Sequence, residues 1–143
     1  MALDGHYDPD NIFAKILRGE IPCAKVYEDD RVLSFMDAFP QSKGHTLVIP
    51  KTPSRNLLDT KPDDLADLIQ KTQMIAAAVK SALSPDGIVI TQFNGAPAGQ
   101  TVFHLHFHII PRYSGAELGA HAVGQMADLE QLKTLAARIA ADI

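Results

Sequence analysis

A chain of 143 residues, 46% hydrophobic and 21% charged, has the makeup of one globular domain around a single core. A net charge of −4 gives no electrostatic footprint for nucleic acid, and the single cysteine, Cys23, excludes an internal disulfide and makes a reducing compartment the default. No stretch approaches the length of a membrane span, and the opening Met-Ala-Leu-Asp-Gly-His-Tyr-Asp lacks the basic region and apolar run of a secretory signal, so a cytoplasmic protein with no membrane partner is expected.

Residues 1–9 read as a loose arm, with His6 solvated in it, and residues 10–143 as a single domain. A short helix follows, capped by Asp10 or Asn11, apolar at Ile12, Phe13, Ile16 and Leu17, and ended by Gly19. Residues 25–28 and 31–37 read as a hairpin about Asp29-Asp30, 39–44 as a loop and 45–50 as the next strand. The long helix is expected from Lys61 to about Leu83, with Thr60 as cap, Asp63 and Asp64 at its positive end, and Leu65, Leu68, Ile69, Ile75, Val79 and Leu83 as one core stripe. Residues 88–92 predict a strand that pairs with the one after the 94–100 loop, and Pro111 is expected to stop that pairing. Residues 114–125, with three glycines and an idle His121, read as a surface loop. A last helix is expected over 128–142, with Leu129, Leu132, Leu135, Ala136 and Ile139 inward. This order predicts an α+β domain: a mostly antiparallel sheet with helices on one face.

Residues 94–112 organise the rest. His104, His106 and His108 share one parity and Leu105, Phe107 and Ile109 the other, so strict alternation predicts a strand with one polar and one apolar face. The imidazoles would then stand roughly 7 Å apart along one face. Imidazole can serve as nucleophile, acid or base, phosphate contact or metal ligand. One zinc cannot take all three, because the outer pair is separated by roughly 13 Å along a strand and zinc needs nitrogens at about 2 Å. Gly95, Gly99, Gln100 and Thr101 before the strand suit an anion: glycine lets backbone N–H groups approach, and the amide and hydroxyl add donors. Asn94-Gly95 is also an ordinary turn signal.

His104-Leu-His106-Phe-His108-Ile-Ile resembles the signature of the histidine-triad (HIT) family of nucleotide hydrolases and transferases. The likeness extends to Ile12-Phe13-Ala14-Lys15-Ile16, Gly19-Glu20-Ile21-Pro22, Phe35-Met36-Asp37 and Gly44-His45-Thr46-Leu47-Val48-Ile49-Pro50-Lys51. The resemblance implies a five-stranded, mostly antiparallel sheet with three helices, a homodimer whose two sheets run together, an AMP- or GMP-type nucleotide as substrate and no cofactor. It implies His106 as nucleophile on the α-phosphorus, His108 on the α-phosphate, His104 beside the nucleophile, and Asn94, Gly99, Gln100 and Thr101 around phosphate and leaving group. Asp37 matches the ribose position and His45 one near the nucleotide. Phe13, Ile21, Phe35 and Leu47 match the base pocket, though each also suits a plain core.

Two departures stand out. Some bacterial members hold a structural zinc on a Cys-x-x-Cys pair, a later histidine and the first triad histidine. Those places here carry Asn11, Ala14, Pro53 and His104, so no zinc is expected. The tryptophan-containing ending of the purine phosphoramidase branch is also missing, since the chain has no tryptophan. Three readings stay open: a nucleoside phosphoramidase or acyl-adenylate hydrolase, a dinucleoside polyphosphate hydrolase, and a nucleotide-binding module with little turnover.

Overall fold

The computed structural model describes residues 3–118 and 126–143, so the expected loop at 114–125 is seen only in part and His121 lies outside the described residues. The elements are α1 (Ile12–Leu17), β1 (Lys25–Glu28), β2 (Val32–Met36), β3 (Thr46–Pro50), α2 (Pro62–Leu83), β4 (Gly87–Thr91), β5 (Phe107–Arg112) and α3 (Leu129–Ala140). The five strands form one antiparallel sheet in the order β1-β2-β3-β5-β4. This is the α+β architecture expected from the sequence.

The sheet has two covered faces, because alternate residues of its central strands feed two separate clusters. Val32, Met36, Val48, Phe107 and Ile109 point to a core shared with Leu68, Ile75 and Val79 of α2 and with Leu132, Ala136 and Ile139 of α3. Leu33, Phe35, Leu47 and Ile49 point the other way and pack with Phe13 of α1. The expectation of helices on one face is therefore corrected. The two long helices share a face, but α1 is too short to carry a core stripe of its own and seats Phe13 on the opposite side. Its start is fixed by Asn11, whose side chain accepts from the Ala14 amide at 2.9 Å.

Three local expectations fail. Thr60 does not cap α2; its hydroxyl donates to the Asn56 carbonyl at 2.7 Å and closes the preceding turn, while α2 starts on Pro62 after Lys61. Ile69 is 43% exposed although Leu68 beside it is fully buried, so it lies outside the core stripe. Pro111 does not end the pairing, since Ile88 faces Pro111 and Gly87 faces Arg112. The Arg112 carbonyl accepts from Asp86 on the β4 side. The proline at the preceding position therefore turns its missing N–H toward β3, whose pairing has already ended at Ile109.

The triad strand is shorter than the alternation suggested. β5 begins at Phe107, so only His108 of the three lies in the ladder, and the chain bends at 102–104. The alternation of faces nevertheless continues upstream, with Leu105 fully buried in the α2–α3 core.

Gly44 joins the loop after β2 to β3 at φ +94°, and a Cβ there would collide with Leu83 Cδ1 and lie 3.2 Å from Pro111 Cγ. Gly44→Ala is expected to lower unfolding free energy by about 1–3 kcal/mol, read as a reduced midpoint in urea.

Candidate active site

The face opposite the long helices carries the chemistry. Register places Phe35 opposite Leu47 and Leu47 opposite His108, so these three side chains form a row across β2, β3 and β5. Phe13 closes over the row, its ring 5.4 Å from Phe35 and 4.9 Å from His106 between centroids. The His106 and His108 rings lie 4.9 Å apart, closer than strand rise alone gives, because His106 precedes the ladder.

Hydrogen bonds assign a tautomer to each ring whose partner can act in only one sense. His104 Nε2 lies 2.8 Å from the Pro50 carbonyl, which can only accept, so Nε2 carries the hydrogen. Its Nδ1 then accepts from the Tyr7 hydroxyl at 2.6 Å. His106 Nδ1 donates to the His104 carbonyl at 2.7 Å, which leaves the lone pair on Nε2. His45 Nδ1 accepts from the Gln41 amide at 3.0 Å, so its hydrogen is on Nε2, 2.9 Å from His108 Nδ1 and 3.3 Å from Asp37 Oδ2. Burial holds the His104 pKa below its ordinary 6.5, opposed in part by the hydrogen bond to Pro50.

A cavity of about 560 Å³ opens on this face. Phe13, Ile21, Phe35 and Leu47 form its apolar wall, and Asp37, Thr101, His106 and His108 its polar end. The remaining candidates are not among the residues that line it. His45, His104 and Gln100 are buried. Gln100 Oε1 accepts from the Gly95 amide at 2.8 Å, and its Nε2 donates to the carbonyls of Arg55 at 2.8 Å and Val102 at 3.0 Å. Asn94 Oδ1 accepts from the Leu57 amide at 3.0 Å and from Gln92 at 2.8 Å. Both amides expected around phosphate brace the 94–100 loop. Gly99, at φ +110°, stays thin against Phe93, whose ring packs 5.5 Å from His108.

Sequence reasoning missed two contributors. Met126, Ala127 and Leu129 line the cavity, held by an Ala127 N–H to Ala38 carbonyl bond of 2.8 Å. No motif marks them; only the tertiary path of α3 brings them there. Tyr7, placed in a loose arm by its composition, reaches His104 across 97 positions of sequence.

Metal binding can be tested on the donor atoms. Asp37, His45 and His108 offer ligand atoms within 4.8 Å of one another. The Gln41 N–H aimed at His45 Nδ1, however, keeps a hydrogen on the very nitrogen that would face the cation. The zinc positions of bacterial relatives fit no better: the Asn11 side chain caps α1, Ala14 and Pro53 offer no donor side chain, and both His104 nitrogens are engaged.

Comparison with known proteins bears on the family and the fold. A family model for the HIT domain matches residues 18–115. Adenylylsulfatase HINT3 of Arabidopsis thaliana is 46% identical over 103 residues, 72% of this chain and 52% of that protein. A solved Hit-like protein from Bartonella henselae is 51% identical with a TM-score of 0.91, covering 97% of this chain and 100% of that one. A zinc-bound histidine triad family protein from Mycobacterium smegmatis is 37% identical with a TM-score of 0.79, covering 92% of this chain and 94% of that one.

Protein purified without chelator is expected to hold far less than one zinc per chain by elemental analysis, in contrast to that mycobacterial relative. The depressed pKa of His104 also sets a pH dependence. The neutral ring is the folded form, so its stabilisation is fully present above pH 6.5 and is lost as pH falls below that value. His104→Gln is expected to flatten the decline of the urea midpoint below pH 6.5.

Proposed function

Given that the chain belongs to the histidine-triad (HIT) family, we propose that it is a nucleotide hydrolase acting at the α-phosphorus through a nucleotidyl-histidine intermediate. The observation that carries this reading is the 2.7 Å bond from His106 Nδ1 to the His104 carbonyl, which leaves the Nε2 lone pair on a residue lining the cavity beside His108 and Thr101. In the first step His106 Nε2 bonds to the α-phosphorus, the bond to the leaving group breaks, and the leaving group takes a proton from solvent at the open cavity. Water then attacks the same phosphorus and gives its proton back to solvent, the P–N bond to His106 breaks, and the nucleoside monophosphate is released.

The other roles follow from position. His108 lies on the α-phosphate side, with its Nδ1 facing the His45 N–H. Thr101 is exposed on the cavity wall and suits the leaving group, while Gln100 and Asn94 brace the loop that presents it. Asp37 is the ribose acceptor; one carboxylate oxygen already receives the Phe39 amide at 2.8 Å, and the other is near His45. Phe13, Ile21, Phe35 and Leu47 hold the purine against an apolar wall.

The substrate we favour is a purine nucleoside phosphoramidate or an acyl-adenylate. The adenylylsulfatase relative supports an adenylyl group with a small leaving group. A dinucleoside polyphosphate differs only in what departs, so assaying adenosine 5′-phosphoramidate beside diadenosine polyphosphates separates the two. A cytoplasmic homodimer completes the proposal. β4 is an edge strand whose Val89 and Ile90 are exposed, with Ile69 of α2 also open, as a sheet continued by a second copy requires. Light scattering at micromolar concentration is expected to give twice the chain mass.

The mechanism makes two displacements at phosphorus, so a substrate chiral at that atom is expected to hydrolyse with net retention. His106→Ala is expected to abolish turnover while nucleotide binding survives. His104→Ala and His108→Ala are expected to retain some activity, with losses of about 10²- to 10⁴-fold. Inversion, or near-normal turnover by His106→Ala, would falsify the covalent route.

A further inference from the structure

The nucleophile-bearing stretch lies outside the sheet. β5 starts at Phe107, and the backbone just ahead of it is held by the Leu105 N–H to Ser54 carbonyl bond of 2.8 Å. The acceptor that orients His106 is the carbonyl of His104, which shares a peptide plane with the Leu105 N–H, so the bond to Ser54 fixes the tilt of that plane. The His104 end of the plane is held by the His104 ring, gripped at both nitrogens by groups from elsewhere in the chain: the Pro50 carbonyl at the end of β3, and the Tyr7 hydroxyl of the N-terminal arm.

We propose that Tyr7 is a positioning residue for the triad. Its hydroxyl holds the His104 ring in the rotamer in which the Pro50 carbonyl sets the tautomer, and through the His104 backbone it helps to aim the His106 Nε2 lone pair at phosphorus. The arm is built to deliver it. Arg55 donates to the His6 carbonyl at 3.4 Å and Asn56 to the Leu3 carbonyl at 3.0 Å, and Asn56 also caps the turn that precedes α2. The Tyr7 ring meets His104 edge to face at 5.6 Å, so the contact is packed as well as hydrogen-bonded. Burial pushes the Tyr7 hydroxyl pKa up and the His104 pKa down, which keeps the O–H on oxygen and the ring nitrogen free to accept it. This inference rests on the catalytic reading of His106, but its geometry can be read without turnover.

The test compares the full chain with Tyr7→Phe, which keeps the ring and removes the donor, and with His6→Ala, which alters the neighbouring arm residue and leaves the triad untouched. Two quantities are measured: the ring-nitrogen resonances of His104 and His106 by ¹⁵N NMR, and kcat and KM for adenosine 5′-phosphoramidate. Tyr7→Phe is expected to move the unprotonated Nδ1 signal of His104, to shift the hydrogen-bonded Nδ1–H of His106, and to lower kcat by about 10- to 100-fold with KM held within about twofold. His6→Ala is expected to match wild type in every measurement. If Tyr7 only anchors the arm, Tyr7→Phe changes protease sensitivity while both resonances and kcat stay at wild-type values; that result overturns the proposal. So does a moved His104 signal with an unmoved His106. If the wild-type chain turns over no nucleotide at all, the proposed function fails separately, and the His106 resonance alone still decides the role of Tyr7.

Discussion

The hydrogen bond from His106 Nδ1 to the His104 carbonyl determines which nitrogen of the central imidazole keeps its lone pair, and the structure around it can be understood as the means of holding that bond. Neutral imidazole has one donor and one acceptor, and in water the two tautomers exchange freely. Burial against fixed partners ends that freedom. Pro50 and Tyr7 assign His104, His104 assigns His106, and Gln41 assigns His45. Each assignment starts from a backbone carbonyl or a backbone amide, groups whose own polarity cannot be reversed, and the Tyr7 hydroxyl, which can donate or accept, follows.

Such a polar cluster is costly to bury unless its members are satisfied, and the fold confines it to one side of the sheet. The α2–α3 face takes the large aliphatic core, with Leu68, Ile75, Leu105, Ile109 and Ile139 fully enclosed. That core supplies the rigidity. The opposite face is then left to imidazoles, Phe13 and a cavity without the sheet losing cohesion. Leu105 and His106 illustrate the division, since consecutive residues serve opposite faces. A one-residue register slip would exchange core and site at once.

Much of this was legible in the sequence. Alternation at 104–109 marked the two faces, and the residues named for the base pocket, Phe13, Ile21, Phe35 and Leu47, do converge with His106 and His108 on one cavity. What escaped was whatever depends on the far side of a bond. Thr60 has the side chain of a helix cap, yet the nearby Asn56 carbonyl claims it, and no local pattern reveals that competition. Pro111 looked like a stop because a proline's missing donor matters only if a neighbour strand is there to need it. Tyr7 and Met126 were invisible for a simpler reason: they meet the site from distant positions through loop paths that carry no periodicity.

The Ala127–Ala38 bond has an implication for how the molecule assembles. The cavity takes walls from α1, from the middle of the sheet and from the segment entering α3, while Tyr7 contributes from the far N-terminal side. Contacts of such long sequence separation carry large loop-closure entropy and form late. Hairpins and α2 can form from local contacts during synthesis, but the cavity cannot be complete until α3 has docked. A chain caught before that step can have Pro50, Tyr7 and Gln41 in place around its imidazoles and still lack one wall of the cavity, so the enclosed space arrives with the final act of folding rather than accumulating along the way.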